Sequence, residues 1–208
     1  MFDKEFKQAL SYLPAKEKDK LVLRLLRKDH ALANRLYFEL LDTKTVDDRR
    51  EEMEERVISR VTDITDGFYS PGYLMMDLRY LSGDISEHVK TTKDKYGEAS
   101  LNLLMLTETL TSIGDKLTPF SYGRNYKLGI YIIARAFKIL ILIKKLHEDY
   151  FMEFQEDLKI LGMGIGNIDV LMRIAIQNGL DVNWLILGDI PEDIVGIHKD
   201  LRSQGYLK

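Results

Sequence analysis

The stretch 129-GIYIIARAFKILILIKKL-146 is the most apolar part of the chain, and its reading decides between a membrane-crossing helix and the central helix of a bundle. Residues 128 to 143 hold ten Leu, Ile or Phe. Those side chains favour insertion by roughly 3 to 6 kcal/mol, against about 5 to 7 kcal/mol opposing it from Arg135 and Lys138 near the centre. The run is also only 16 residues long before Lys144 and Lys145, short of the roughly 20 that a bilayer requires. A buried helix with no membrane span is the reading that follows.

The two cations then need a destination. Steps of three and four residues place Lys127, Tyr131, Arg135, Lys138, Leu142, Lys145, Asp149, Glu153 and Glu156 on one stripe. That stripe either meets solvent or lines an internal groove. Cations at its start and anions at its end oppose the helix macrodipole. Either the charges have tertiary partners, or a helix from 125 to 161 is interrupted near "KKLHEDY", with Lys144, Lys145 and His147 at one end and Glu148 and Asp149 at the next start. No Gly or Pro selects between these.

Outside this stretch a 3.6-residue period recurs, punctuated by only four prolines. The expected fold is all-α, a multi-helix bundle of about ten helices. A short-helix N-terminal lobe (1–67), a long-helix bundle (68–161) and a compact C-terminal helical cap (162–208) would form one continuous globular unit. Asp3 caps a first helix through Leu13, and Pro14 suits the first turn of the next. Helices follow over 15–28 and 30–42. Thr45 with Asp48 caps a charged helix that Gly67 stops. Pro71-Gly72 reads as a type II turn before a helix of about ten residues. Residues 84–95 and 98–117 read as helices separated or weakened by Gly97. "LTPFSYGRNYKLG" reads as the longest loop. "GMGIGN" reads as a chain reversal, with Asn167 capping a helix through Asn178, Asp181 capping a short one and Pro191 opening the last.

Composition narrows the chemistry. Thirty basic and 33 acidic side chains give a formal charge of −3, which argues against binding to nucleic acid through net charge. The absence of cysteine removes disulfides, thiolate zinc sites and a cysteine nucleophile, and fits a reducing cytoplasm. Charges at positions 3, 4, 5 and 7 interrupt the apolar segment a signal peptide needs. No P-loop, HExxH or GxSxG is present.

Several clusters remain as candidates. Glu51, Glu52 and Glu55 form an EExxE pattern whose carboxylates could share a divalent cation such as magnesium. The pattern resembles the first acidic motif of the all-α nucleoside triphosphate pyrophosphohydrolases. That resemblance implies a magnesium-dependent hydrolase with the three glutamates as ligands. The family's second motif, ExxD on a following helix, is replaced here by Asp63 and Asp66 only eight residues on. A second acidic group, Glu153, Glu156 and Asp157, could join it across a bundle, although the ExxH pairs of di-iron proteins are missing.

Lys20, Arg24, Arg27 and Arg35, joined by Lys16 and Lys28, form a basic face able to grip phosphates. Arg124 and Lys127, with Phe120, Tyr122 and Tyr126, could hold nucleic acid by stacking and charge. Residues 167–189 resemble the closing helices of Cro/C1-type helix-turn-helix domains through Leu171, Ile174, Ala175, Gly179, Trp184, Leu185 and Gly188. That likeness implies a DNA-associated regulator, although an arginine-rich recognition helix is missing. The preferred reading is a non-catalytic, cytoplasmic helical protein, free of cofactors, that binds a macromolecular partner. A protein is favoured, nucleic acid is possible, and self-association into a homo-oligomer is open.

Overall fold

Polar side chains cap the starts of six of the eleven described α-helices. In the computed structural model, which describes residues 2–208, the Asp3 carboxylate accepts the Phe6 N–H at 2.7 Å and starts α1 (Lys4–Tyr12). Pro14 precedes α2 (Ala15–Leu26), and Asp29 accepts the Leu32 N–H at 3.0 Å to start α3 (His30–Leu41). Thr45 and Asp48 exchange hydrogen bonds in a full capping box at the head of α4 (Val46–Asp66), which Gly67 closes. No strand is present among the described residues. The chain is an all-α, multi-helix bundle.

The next segment departs from the sequence reading. Ser70 caps α5 (Pro71–Thr92) and Pro71 takes its first position, so Pro71-Gly72 is a helix start and not a type II turn. The helix runs 22 residues instead of about ten and passes through Gly83. A mid-helix glycine costs only about 1 kcal/mol, and burial of Leu74, Leu78, Leu81 and Ile85 outweighs it. The chain breaks at Lys93, in the left-handed region, and not at Gly97. Asp94 then caps α6 (Lys95–Ile113) by accepting the Gly97 N–H at 2.8 Å.

A single 3₁₀ turn, Gly114–Leu117, follows α6. The expected long loop shrinks to Thr118–Ser121, because α7 begins at Tyr122 and runs to Lys144. Asn125 replaces loop length with hydrogen bonds: its Nδ2 donates to the carbonyls of Leu117, Phe120 and Ser121. The helix from 125 to 161 is interrupted at "KKLHEDY". A 3₁₀ turn, Glu148–Tyr150, leads into α8 (Phe151–Asn167), and His147 Nδ1 accepts the Asp149 N–H. Cations thus close one helix and carboxylates open the next.

"GMGIGN" is not a chain reversal but the last turns of α8. The axis turns by 103° beyond it, at Ile168, into α9 (Asp169–Gln177), so Asn167 is not the cap. A one-turn α10 (Asn183–Ile186) and α11 (Ile194–Ser203) complete the fold, the latter capped by Asp193. The α8 glycines permit close approach. A Cβ at Gly162 would lie 2.7 Å from Ile186 Cγ1 and 3.2 Å from the Ile186 backbone nitrogen, and one at Gly164 would lie 3.0 Å from Leu110 Cβ.

This predicts opposite signs for one substitution. Gly83→Ala meets nothing within 4 Å and is expected to stabilise by about 0.5–1 kcal/mol through helix propensity. Gly162→Ala forces α10 outward and is expected to cost about 1–3 kcal/mol despite the same propensity gain. Urea midpoints of the two variants measure both; midpoints moving in the same direction would contradict the packing explanation.

One continuous hydrophobic cluster extends from Met53 to Leu207. Helix α4 packs on α5 and α6, α6 on α8, and α7 on α5, α6, α9 and α11. The cations of α7 find partners at its seams. Arg135 donates to Asn102 Oδ1 at 3.2 Å, Lys138 pairs with Glu98 at 2.9 Å, and Tyr131 donates to the Leu78 carbonyl at 3.0 Å. The middle of the stripe, at Tyr131, Arg135, Lys138 and Leu142, is half-buried and clamps α7 to α5 and α6, whereas Lys127, Lys145, Asp149, Glu153 and Glu156 at its ends are exposed.

Candidate functional site

The first three helices differ from all the others in burying no residue. In "LVLRLL" of α2, apolar residues fall on more than one face, while the helix is covered mainly by α3. Leu21 and Leu26 are half-buried, whereas Val22, Leu23 and Leu25 are exposed. Helix α3 leans on α5 and still exposes Leu32, Tyr37, Leu40 and Leu41. With Phe2, Phe6 and Tyr12, ten large apolar side chains face solvent before residue 42. Within α3 the terminal pair is the most open, Leu40 at 75% and Leu41 at 67%.

A second apolar strip lies on the N-terminal half of α5, where Tyr73, Met76 and Tyr80 follow Tyr69 at helical steps, all exposed. Tyr69 and Tyr73 meet edge-on at 5.3 Å. The sequence reading missed this strip because it interleaves with Leu74, Leu78 and Leu81 on the same helix. Only the position of the neighbouring helices tells the buried set from the open one.

Between α3, α4 and α5 lies a cleft of about 490 Å³ lined by charged groups. Arg49 pairs with Asp42 and with Glu52, and Arg56 donates to Asp84 at 2.8 Å. The cleft also contains His88, whose Nε2 is buried without a hydrogen-bond partner. Burial holds the His88 imidazole below its ordinary pKa of 6.5; the Arg50 and Arg49 guanidiniums act the same way and Asp94 opposes them.

A pH dependence follows. The unfolded chain takes up the proton before the folded one does, so stability falls as the pH drops below about 6.5. His198, lowered by burial and by Arg202, adds in the same direction. Glu54 and Asp157, raised mainly by burial, act oppositely but only in the more acidic carboxylate range. Melting at about pH 7.5 and about pH 5.5 is expected to show a loss that shrinks in His88→Gln. An equal loss in both proteins would remove His88 from the account.

The sequence candidates are dispersed. Glu51 and Glu55 are exposed, and Glu52 is held by Lys44 and Arg49. No group of three or more His, Asp or Glu side chains with metal-binding spacing occurs among the described residues. Lys20 pairs with Glu17 on α2 and Arg35 with Glu39 on α3, while Arg24 and Arg27 remain exposed. Arg124 and Lys127 are exposed on the first turns of α7, which packs mainly on α5, α6 and α9 and not on α2 or α3, so they stand apart from the basic residues of α2 and α3 in the helix packing.

In the C-terminal cap, Leu171, Ile174, Ala175 and Leu185 are core residues, and Gly179 and Gly188 adopt positive φ. Trp184 meets Phe137 edge-on at 6.2 Å. Helix α9 lies on α7 and α8, and α10 is a single turn on α8. The residues shared with helix-turn-helix domains therefore serve packing and turns here.

No protein-family model, curated protein or solved structure matches this chain. Function rests on the surface itself. Among the described residues no single helix is long and apolar enough to cross a membrane.

Proposed function

We propose that the chain is a non-catalytic, cytoplasmic interaction module that binds a protein partner through α1–α3. One observation carries this reading: the segment from Phe2 to Leu41 holds three consecutive helices that bury no residue, and it exposes ten large apolar side chains. Those side chains offer on the order of 1,000 Å² of apolar surface, comparable with the about 800 Å² that each partner contributes to a standard interface. Monomeric proteins rarely leave so much apolar surface open on one segment. Arg24 and Arg27 on α2 add a basic rim, which suits a partner with acidic residues around an apolar centre.

The test is a photo-crosslinking side chain installed at Tyr12 or Tyr37 in living cells, with Lys159 on α8 as a control position. A discrete protein adduct at the N-terminal positions, lost in Leu40→Glu/Leu41→Glu, is expected. An adduct of twice the chain mass identifies a second copy as that partner. Adducts absent at both positions, or unaffected by the double substitution, would overturn the proposal. The substituted side chains are exposed, so the melting temperature stays unchanged and separates lost docking from lost folding.

A further inference from the structure

A second cleft, of about 410 Å³, opens at the N-terminal end of α7, between the Gly114–Ser121 connection and the α8–α9 bend. Its wall includes Asn125, which is 1% exposed. The Asn125 Nδ2 is committed to the carbonyls of Leu117, Phe120 and Ser121, which fixes the amide orientation, since a flip would turn Oδ1 toward three acceptors. The Oδ1 is buried and receives no donor. An unmatched acceptor of this kind is costly in a folded protein and is set to receive an N–H or O–H from outside the chain.

The facing wall is the start of the nine-residue α9. No side chain caps it, because Ile168 occupies the cap position, and one turn on stands Arg173. Asp115 and Asp169 also line the cleft. Neither carboxylate nor the Arg173 guanidinium enters an ion pair or a side-chain hydrogen bond among the described residues. Phe120 and Tyr122 supply aromatic surface beside them.

We propose that this cleft binds a small zwitterion of the α-amino-acid class. Its carboxylate pairs with Arg173 and the free N–H groups that open α9, and its ammonium donates to Asn125 Oδ1 and Asp115. The charge balance selects this class. A simple anion such as phosphate faces two carboxylates, and a simple diamine leaves the guanidinium unmatched. The zwitterion satisfies both signs at once.

The experiment is calorimetric titration of the full chain with each standard L-amino acid, with putrescine and inorganic phosphate as single-sign probes. Saturable binding of at least one amino acid, with little for either probe, is the expected result. Arg173→Gln and Asp115→Asn, both on exposed side chains, are each expected to weaken it at least about tenfold, or roughly 1.4 kcal/mol, without changing the melting temperature of the free protein. These two variants replace Asn125 substitutions, which would also release the connection that its Nδ2 holds. No binding of any amino acid at about 10 mM, equal binding of phosphate or putrescine, or unchanged affinity in both variants would each overturn the proposal.

Discussion

Arg50→Ala is expected to destabilise the protein by about 3–5 kcal/mol, the range for removing one partner of a buried ion pair. The Arg50 side chain is 19% exposed and that of Asp94 only 4%, and Arg50 Nε donates to Asp94 Oδ2 at 2.6 Å. The other carboxylate oxygen caps α6 through Gly97. One acidic side chain thereby joins α4 to the start of α6, with the guanidinium also lying 4.7 Å over the Tyr96 ring. Removing Arg50 leaves a carboxylate enclosed with a backbone N–H as its main remaining partner. Urea denaturation measures the loss. Arg50→Ala/Asp94→Asn is expected to recover part of it, because asparagine keeps the cap without the charge. A single-variant loss under about 1 kcal/mol would place the pair among surface bridges of small effect.

Phe137→Ala carries a comparable expected cost, about 3–5 kcal/mol, for a different reason. Phe137 is fully buried in the middle of α7 and reaches Trp184 of α10 at 6.2 Å and His198 of α11 at 5.5 Å. Truncation leaves a cavity where the C-terminal cap meets the bundle. Trp184 is the only tryptophan, so its fluorescence reports that junction while circular dichroism reports all helices. Coincident transitions, both shifted to lower urea, are expected of a cap that unfolds with the bundle. A fluorescence transition that separates from the helical one would show that residues 162–208 melt by themselves.

Helix existence was legible wherever a cap and a periodic apolar face agreed. Thr45 with Asp48, Asp3 and Gly67 act locally, through hydrogen bonds within a turn, and their roles follow from spacing alone, whereas Asp181 accepts the Asn183 N–H from one residue before the cap position, which Val182 takes. Glycine was the weak signal. Gly97 read as separating or weakening two helices and the glycines of α8 as a chain reversal, yet all lie inside helices. Their meaning depends on which helix lies against them, a long-range property absent from the local pattern. Charged candidates depend on their neighbours in the same way: Glu52, Arg35 and Lys20 share helix faces with others of their sign, and in the structure each pairs with a nearby opposite charge.

By itself the sequence determined that the chain is all-helical, that residues 128 to 143 form a buried and not a membrane-crossing helix, and that Asp3 and Thr45 cap α1 and α4. These follow from periodicity, transfer energies and hydrogen bonds spanning a few residues. Tertiary structure alone decided which apolar stripes are covered. Leu74, Leu78 and Leu81 are buried while Tyr73, Met76 and Tyr80 on the same helix are open, and no apolar side chain of α1–α3 is fully buried. It also left the Asn125 acceptor unmatched beside Arg173. Both outcomes depend on residues far apart in sequence meeting or failing to meet, because burial is a property of the neighbours as much as of the side chain.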